Sequence, residues 1–477
     1  VATNAGLFRF DPSEGHFERP GPLIHEPAEL RNANITELAQ FRSKVLWAGT
    51  LQGMVKLQKN LKDFKLYRTN TDNQPLFTDN LIASVYKDFQ GTIWVGTWDE
   101  GLFLFERNTG NVTRYTSDHP YIPSNDIHCL FPDSQGRLWI GTDQGVSWFD
   151  LRERSFHHFS KNTGKQIFEN NRVYAMDEDQ QGRIWFATRN GLHVYNGTEL
   201  NSFYSQADEP GSLTSSFVYD VMVDRKDRIW VATNKGMNLY LGPGQGFRHF
   251  VREELTCTNC LTSNEILCLH EDRHGNIWVG TVGGLNRYDP RSESFVTFTE
   301  QDGLPNNLIY AILEDDRGNL WISSNRGLTQ MNAQTGDMVN YSIYDGLQDY
   351  EFNHLAASKA WDGEMFFGGI SGLNSFYPDS IKRSSFVPNI EITSAEVITN
   401  RRKHTYNLLG TDTLHLPYNH NLLTVEFVSL DMIAPTKTQY YYQLKGAENE
   451  WVDLGNRRYA TFSNLPPGKY LLNVRGS

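Results

Sequence analysis

Trp98, Asp99, Arg189, Asn190, Lys235, Asn325 and Arg326 share one local context: each lies one or two residues after a Thr or Ser that ends a Trp-centred run. Asn353 and His354 fall in a connecting segment between two such runs. Together these nine residues offer an aromatic face, fixed guanidinium forks, amides and a carboxylate. That mixture recognises sugar hydroxyls, by stacking on the ring and by paired hydrogen bonds to its edge. They are the expected ligand-binding set. Read singly, each Asn does no more than shape a turn. A catalytic set is harder to assemble. The chain has no Gly-x-Ser-x-Gly elbow, no His-Glu-x-x-His, no phosphate-cradling glycine loop and no EF-hand loop. A glycosidase or lyase needs converging carboxylates or a Tyr/His pair, and the acids available for that are Asp99, Glu100, Asp143 and Asp220.

Metal and cofactor chemistry finds little support, and no cofactor is expected. Cys257 and Cys260 form one Cys-x-x-Cys, half of what a tetrahedral zinc site takes, so a local disulfide or two free thiols is the simpler expectation. His157 and His158 adjoin in a strand-like run and so point to opposite faces. The net charge is −12, and the longest basic clusters are Arg401-Arg402-Lys403 and Arg457-Arg458. Nothing here suggests a nucleic-acid partner. No run of about 18 apolar residues is present, so no transmembrane helix is expected within these residues. The chain opens inside a repeat and stops in a strand-like run, so a membrane anchor is expected outside it.

The elements that must position these side chains come from a repeat. Ile93-Trp94-Val95-Gly96-Thr97, Leu138-Trp139-Ile140-Gly141-Thr142 and Ile277-Trp278-Val279-Gly280-Thr281 are three of its copies. Trp47, Trp94, Trp139, Trp185, Trp230, Trp278, Trp321 and then Phe366 follow one another at spacings of 47, 45, 46, 45, 48, 43 and 45 residues. Six of these units place an Asp six residues before the Trp (Asp88, Asp133, Asp179, Asp224, Asp272, Asp315), with Gly three residues after the Asp in five of them. Asp-x-x-Gly between two apolar runs is a hairpin turn. A second Gly follows the Trp by six or seven residues, then two more strand-like runs. Four short strands in 43 to 48 residues make a propeller blade. Small residues recur four before the Asp (Ser84, Cys129, Ala175, Cys268, Ala311), as inner strands converging on an axis require. Asp220 breaks that series and needs water or a partner there.

The expected fold is therefore all-β. Residues 63–384 should form a propeller, with seven blades preferred over eight because a displaced outer strand, Phe64-Lys65-Leu66-Tyr67, can complete the last one. Residues 1–62 would then be the end of a preceding propeller or an extra blade. Residues 385–477 read as a sandwich of alternating strands, with Leu422, Val425 and Phe427 in its core.

These repeats resemble the two-component regulator propeller. The segment Pro435…Tyr440-Tyr441-Tyr442-Gln443-Leu444-Lys445-Gly446…Trp451…Tyr459…Pro466-Pro467-Gly468-Lys469-Tyr470 is similar to the Y_Y_Y domain, an immunoglobulin-like sandwich that follows such propellers. The resemblance implies a bacterial membrane receptor. Its sensing region would lie on the periplasmic side of the inner membrane, its small-molecule ligand would be an oligosaccharide, and it would form a homodimer through the C-terminal sandwich. A histidine kinase or diguanylate cyclase would be the output beyond the membrane. The competing expectations are a propeller enzyme acting on polysaccharide and a scaffold for protein partners.

Overall fold

The structure is a computed structural model that describes residues 2–3, 6–11, 16–18, 33–40, 46–57, 64–68, 81–119, 122–159, 171–252, 259–381, 389–399, 402–411, 413–416, 420–430, 438–447 and 450–476. The chain parts into two compact units, Lys62–Lys382 and a second made of Val1–Leu61 with Arg383–Ser477.

Seven four-stranded antiparallel sheets make up Lys62–Lys382. Blade 1 is Ile82–Lys87, Thr92–Thr97, Leu102–Glu106 and Val112–Tyr115. Blades 2 to 6 repeat this order and begin at Ile127, Val173, Val218, Ile266 and Ile309. Blade 7 takes three strands from Phe352–Phe376 and its fourth from Lys65–Tyr67, which pairs with Leu373–Ser375. The inner strand of each blade packs on that of the next, and the inner strand of blade 7 packs on that of blade 1. The ring is closed, and no blade is left with a bare inner edge.

The repeat motif explains the blades. Each turn Asp is a buried carboxylate with a full set of donors. Asp272 Oδ1 accepts from the backbone N–H groups of His274 and Asn276, and Oδ2 accepts from Asn276 Nδ2 and from Trp278 Nε1 at 2.9 Å. The same bond from Trp Nε1 recurs at Asp88, Asp133, Asp179, Asp224 and Asp315, at 2.7 to 3.1 Å. Six Trp side chains are thereby fully buried without leaving their N–H unsatisfied. At the other end of the strand, the Thr hydroxyl donates to the carbonyl of the following Gly, as Thr188 does to Gly191 and Thr281 to Gly284. That bond folds back the loop on which the candidate site residues sit.

Blade 7 has Ala360 where the others have Asp and Phe366 where they have Trp. An ion network takes over at this seam. Glu364 accepts two hydrogen bonds from Arg107 of blade 1, at 2.7 and 2.6 Å, and one from Lys87 at 3.0 Å, while Lys87 also meets Asp362.

In the second unit, Arg402–Asn407, Ile390–Thr399, His420–Ser429 and Tyr459–Ser463 form one sheet, and Val452–Gly455, Tyr440–Lys445 and Leu471–Gly476 form another. Val425 and Phe427 are buried as expected, but the third core position is Leu423, not Leu422, which is half-buried. Alternation decides this: Leu423, Val425 and Phe427 share one face of the strand. Tyr440 is buried and its hydroxyl accepts from Ser429 N–H, whereas Arg475 lies over the rings of Tyr441 and Trp451. A three-stranded sheet, Ile35–Gln40, Leu46–Thr50 and Gly53–Leu57, holds the Trp47 repeat.

Candidate ligand site at the channel mouth

The ring has two faces. One carries the strand 2–3 loops and the connections between blades, and is called the loop face below. The other carries the Asp turns. Most of the expected residues reach solvent on the loop face: Trp98, Asp99, Arg189, Asn190, Lys235, Asn325 and Arg326 are all exposed. Their loops are held by bonds from backbone N–H groups to side-chain hydroxyls, such as Lys235 N–H to Thr233 Oγ1 and Arg326 N–H to Ser324 Oγ. Arg189, Lys235 and Arg326 make no ion pair among the described residues. Most rim asparagines, by contrast, are turn-formers. Asn125, Asn264, Asn306 and Asn307 each accept a nearby backbone N–H, and Asn171 Oδ1 takes that of Asn190. Tyr121 and Asn170, which fall in the same connections between blades, lie outside the described residues.

Asn353 and His354 are placed differently from the rest. Blade 7 has a bulge between Phe352 and Ala357, where the other blades carry a single extra residue. Asn353 is buried and donates its amide to Ile82 O of blade 1 at 2.7 Å, so it is a fastener and not an open rim residue. His354 reaches across to blade 5 and donates from Nε2 to Leu267 O at 2.6 Å. That bond fixes the tautomer and leaves Nδ1 as an acceptor. Burial lowers the imidazole to about 4, so it is neutral near pH 7. Leu355 packs on the cores of blades 3 to 6 and lines an axial cavity of about 170 Å³ together with Ser84, Cys129, Tyr174 and Asp220. The bulge thus reaches from blade 7 toward blades 3 to 6 at the ring's centre. Asp220, which required a partner, finds one in Leu269 N–H of the next blade at 2.8 Å, and burial pushes its carboxyl up to about 7.

Around the mouth stands a collar of which the sequence reading singled out only His354. Tyr174 lies 5.5 Å from Phe217, 5.9 Å from Tyr219, 6.1 Å from His128 and 6.4 Å from His354, between ring centroids. Arg172 sits over the Tyr174 ring. On the blade 1–2 side, Asp99 and Asp126 share a side-chain hydrogen bond, and burial with the charge of Asp143 raises the Asp126 carboxyl to about 6, against the pull of Arg172. His128 is lowered to about 4, by burial first and then by Arg172. His128 Nε2 and Asp143 Oδ1 are shielded from solvent with no hydrogen-bond partner among the described residues. A ligand supplying a donor to Asp143 would satisfy a group that is costly to leave alone. The signal was there to read: His128, Tyr174, Tyr219 and Tyr310 share one repeat position, five before the turn Asp, where the strand bulges toward the axis.

Among the remaining candidates, Glu100 pairs with Arg114 and His157 stacks on Trp148. Cys260 is disulfide-bonded, Cys129 and Cys268 are buried free thiols, and Cys257 lies outside the described residues. No cluster of three or more His, Cys, Asp or Glu suited to a metal occurs among the described residues. No helix is long and apolar enough to cross a membrane among them.

Comparison with known proteins agrees with this architecture. The two component regulator propeller pattern matches residues 76–99, 121–144, 167–190, 212–235, 260–283 and 303–326, and the Y_Y_Y domain pattern matches residues 431–477. The chain carries two-component regulator propeller repeats followed by a Y_Y_Y domain. It is similar to the extracellular domain of the putative hybrid two component system BT3049 from B. thetaiotaomicron, with 26% identity and a TM-score of 0.78 over 100% of this chain and 63% of that one. It is also 25% identical over 134 residues to histidine kinase P4 of Formosa agariphila, a match covering 27% of this chain and 10% of that protein. The chain therefore spans under two thirds of the solved domain and a small part of the curated kinase.

Proposed function

We propose that this chain is the extracellular ligand-sensing region of a two-component membrane receptor, held on the periplasmic side of a bacterial inner membrane, and that an oligosaccharide binds at its channel mouth. The observation that carries the site is the collar of Tyr174, Phe217, Tyr219, His128 and His354, with Arg172 over the Tyr174 ring. Stacking surfaces backed by unsatisfied polar atoms are what a sugar ring engages. Binding would bias the packing of two chains through the sandwich, which requires that the two packings differ in ligand affinity. The test is a thermal-shift screen with defined oligosaccharides, followed by calorimetry and product analysis. An intact ligand that raises Tm by mass action, and whose affinity falls at least tenfold in Arg172→Ala and Trp98→Ala, supports the reading. Binding unchanged in both variants overturns the site.

A second reading has one observation behind it. Asp126, raised to about 6, sits beside Asp99 and Asp143, and a raised acid beside other carboxylates is how glycosidases divide acid from base or nucleophile. Cleavage of the ligand in the same product analysis would favour an enzyme.

A further inference from the structure

The face opposite the mouth holds an aromatic platform that the repeat does not call for. The residue after the turn Asp is Ser134, Gln180, Arg225, Arg273 and Asp316 in blades 2 to 6. In those blades it serves the joint with the next blade: Ser134 Oγ donates to Glu178, Arg225 N–H to Glu271, Arg273 to Glu314, and Asp316 accepts from Lys359. Only in blades 7 and 1 is this residue aromatic, Trp361 and Phe89, and these two blades adjoin at the ring closure. The rings sit 6.1 Å apart at 31° and are 62% and 77% exposed. Trp361 Nε1 donates to Asp88 O at 3.4 Å, which fixes the indole, and Tyr377, 43% exposed, donates its hydroxyl to Asp362 beside it.

We infer that Phe89, Trp361 and Tyr377 form a second binding site, for the ring of a neutral sugar. Two properties select that occupant. First, the nearest charges are already engaged: Lys87 and Arg107 pair with Asp362 and Glu364, and the Asp88 carboxylate is held by the Trp94 indole and backbone N–H groups, so none stands open to a charged partner. Second, the area is small. At ~200 Å² for a fully exposed aromatic side chain, the three exposures amount to roughly 400 Å². A stable protein interface takes about 800 Å² from each partner, whereas one or two pyranose rings are covered by this patch. A fixed indole with a hydroxyl and a carboxylate at its edge is preorganised for the apolar face and the equatorial hydroxyls of such a ring. The inference is independent of the mouth: it stands on different residues, on the other face.

The test is calorimetry of the whole chain with neutral hexasaccharides of glucose, xylose, mannose and galactose, together with sedimentation from low to high protein concentration. At least one hexasaccharide should bind, with affinity reduced tenfold or more in Trp361→Ala and in Phe89→Ala and kept within about threefold in Trp361→Phe. Both alanine variants should keep the wild-type melting temperature within a few degrees, because these rings are mostly solvated. If no neutral hexasaccharide binds, or if every one that binds does so equally well to Trp361→Ala, the inference is overturned. Self-association that Trp361→Ala abolishes, without sugar binding, would reassign the patch to a second copy of the chain.

Discussion

Replacing Glu364 by Gln should loosen the ring at its closure, and the size of the effect follows from the contacts. Glu364 is 2% exposed and takes three hydrogen bonds from two cations. Removing one partner of a buried charge pair costs about 3–5 kcal/mol, mostly from the charge left behind. Two features pull the value to the low end. Arg107 keeps some contact with water, and Lys87 keeps Asp362. About 3 kcal/mol, at ~2–4 °C per kcal/mol for a chain of a few hundred residues, gives a fall in Tm of roughly 6–12 °C. The exposed pair Arg317–Asp379 is the control, and Asp379→Asn should cost under ~1 kcal/mol. Differential scanning calorimetry reads both. pH adds a signature. Burial alone would raise the Glu364 carboxyl, but the bonds from Arg107 and Lys87 outweigh it and hold it below the ordinary range, and Asp362 is held down in the same way by Lys87. Carboxyls held down contribute stability above their unfolded values and lose it as pH falls through the folded ones. The gap between wild type and Glu364→Gln should therefore shrink in acid. Lys87 is raised by its two partners in spite of burial, so its share is present at neutral pH and is lost only as pH rises through its folded value. A Glu364→Gln protein melting within a degree of wild type at neutral pH would refute the view that this network holds the seam.

Asp272→Ala leaves the Trp278 indole, two backbone N–H groups and the Asn276 amide without their acceptor; with ~1–3 kcal/mol for each buried donor left alone, partly relieved by water, a loss of several kcal/mol is expected in chemical denaturation. Asp177 and Asp220 are both raised to about 7, chiefly by burial. A carboxyl raised in the fold favours stability at low pH and weakens it as pH climbs from ~4 toward the folded value. Asp220→Asn should flatten part of that decline while still accepting from Leu269 N–H; denaturation midpoints across pH 4–7 would check it, and an unchanged slope would contradict the assignment.

The ring was legible because its signals repeat. One Asp–Trp pair is weak evidence, but six at one spacing specify one hairpin and one buried indole each. The strand that closes blade 7 was legible too, since the last unit, around Phe366, shows three strands in sequence and Phe64-Lys65-Leu66-Tyr67 can supply the missing outer one. The site was legible only in part. Loop residues such as Trp98 and Arg189 could be placed at the surface because a loop after a strand is exposed wherever the ring places it. Asn353 and His354 look like the same kind of residue in sequence, yet a bulge turns them inward, and bulges depend on register with a neighbouring strand. The collar escaped for the opposite reason. His128 and Tyr174 sit inside strands that read as core, and only convergence on an axis brings them together. Leu422 and Leu423 are both apolar, so only the pairing of the strand decides which faces inward.

The channel-mouth site is the central claim, and hydrogen–deuterium exchange with and without a bound oligosaccharide tests it most directly. The account predicts added protection in the segments that hold Asp126 to His128, Arg172 to Tyr174 and Phe217 to Tyr219, and in the bulge at Asn353 to Leu355. Protection confined to residues away from the mouth, with these segments unchanged, would contradict it.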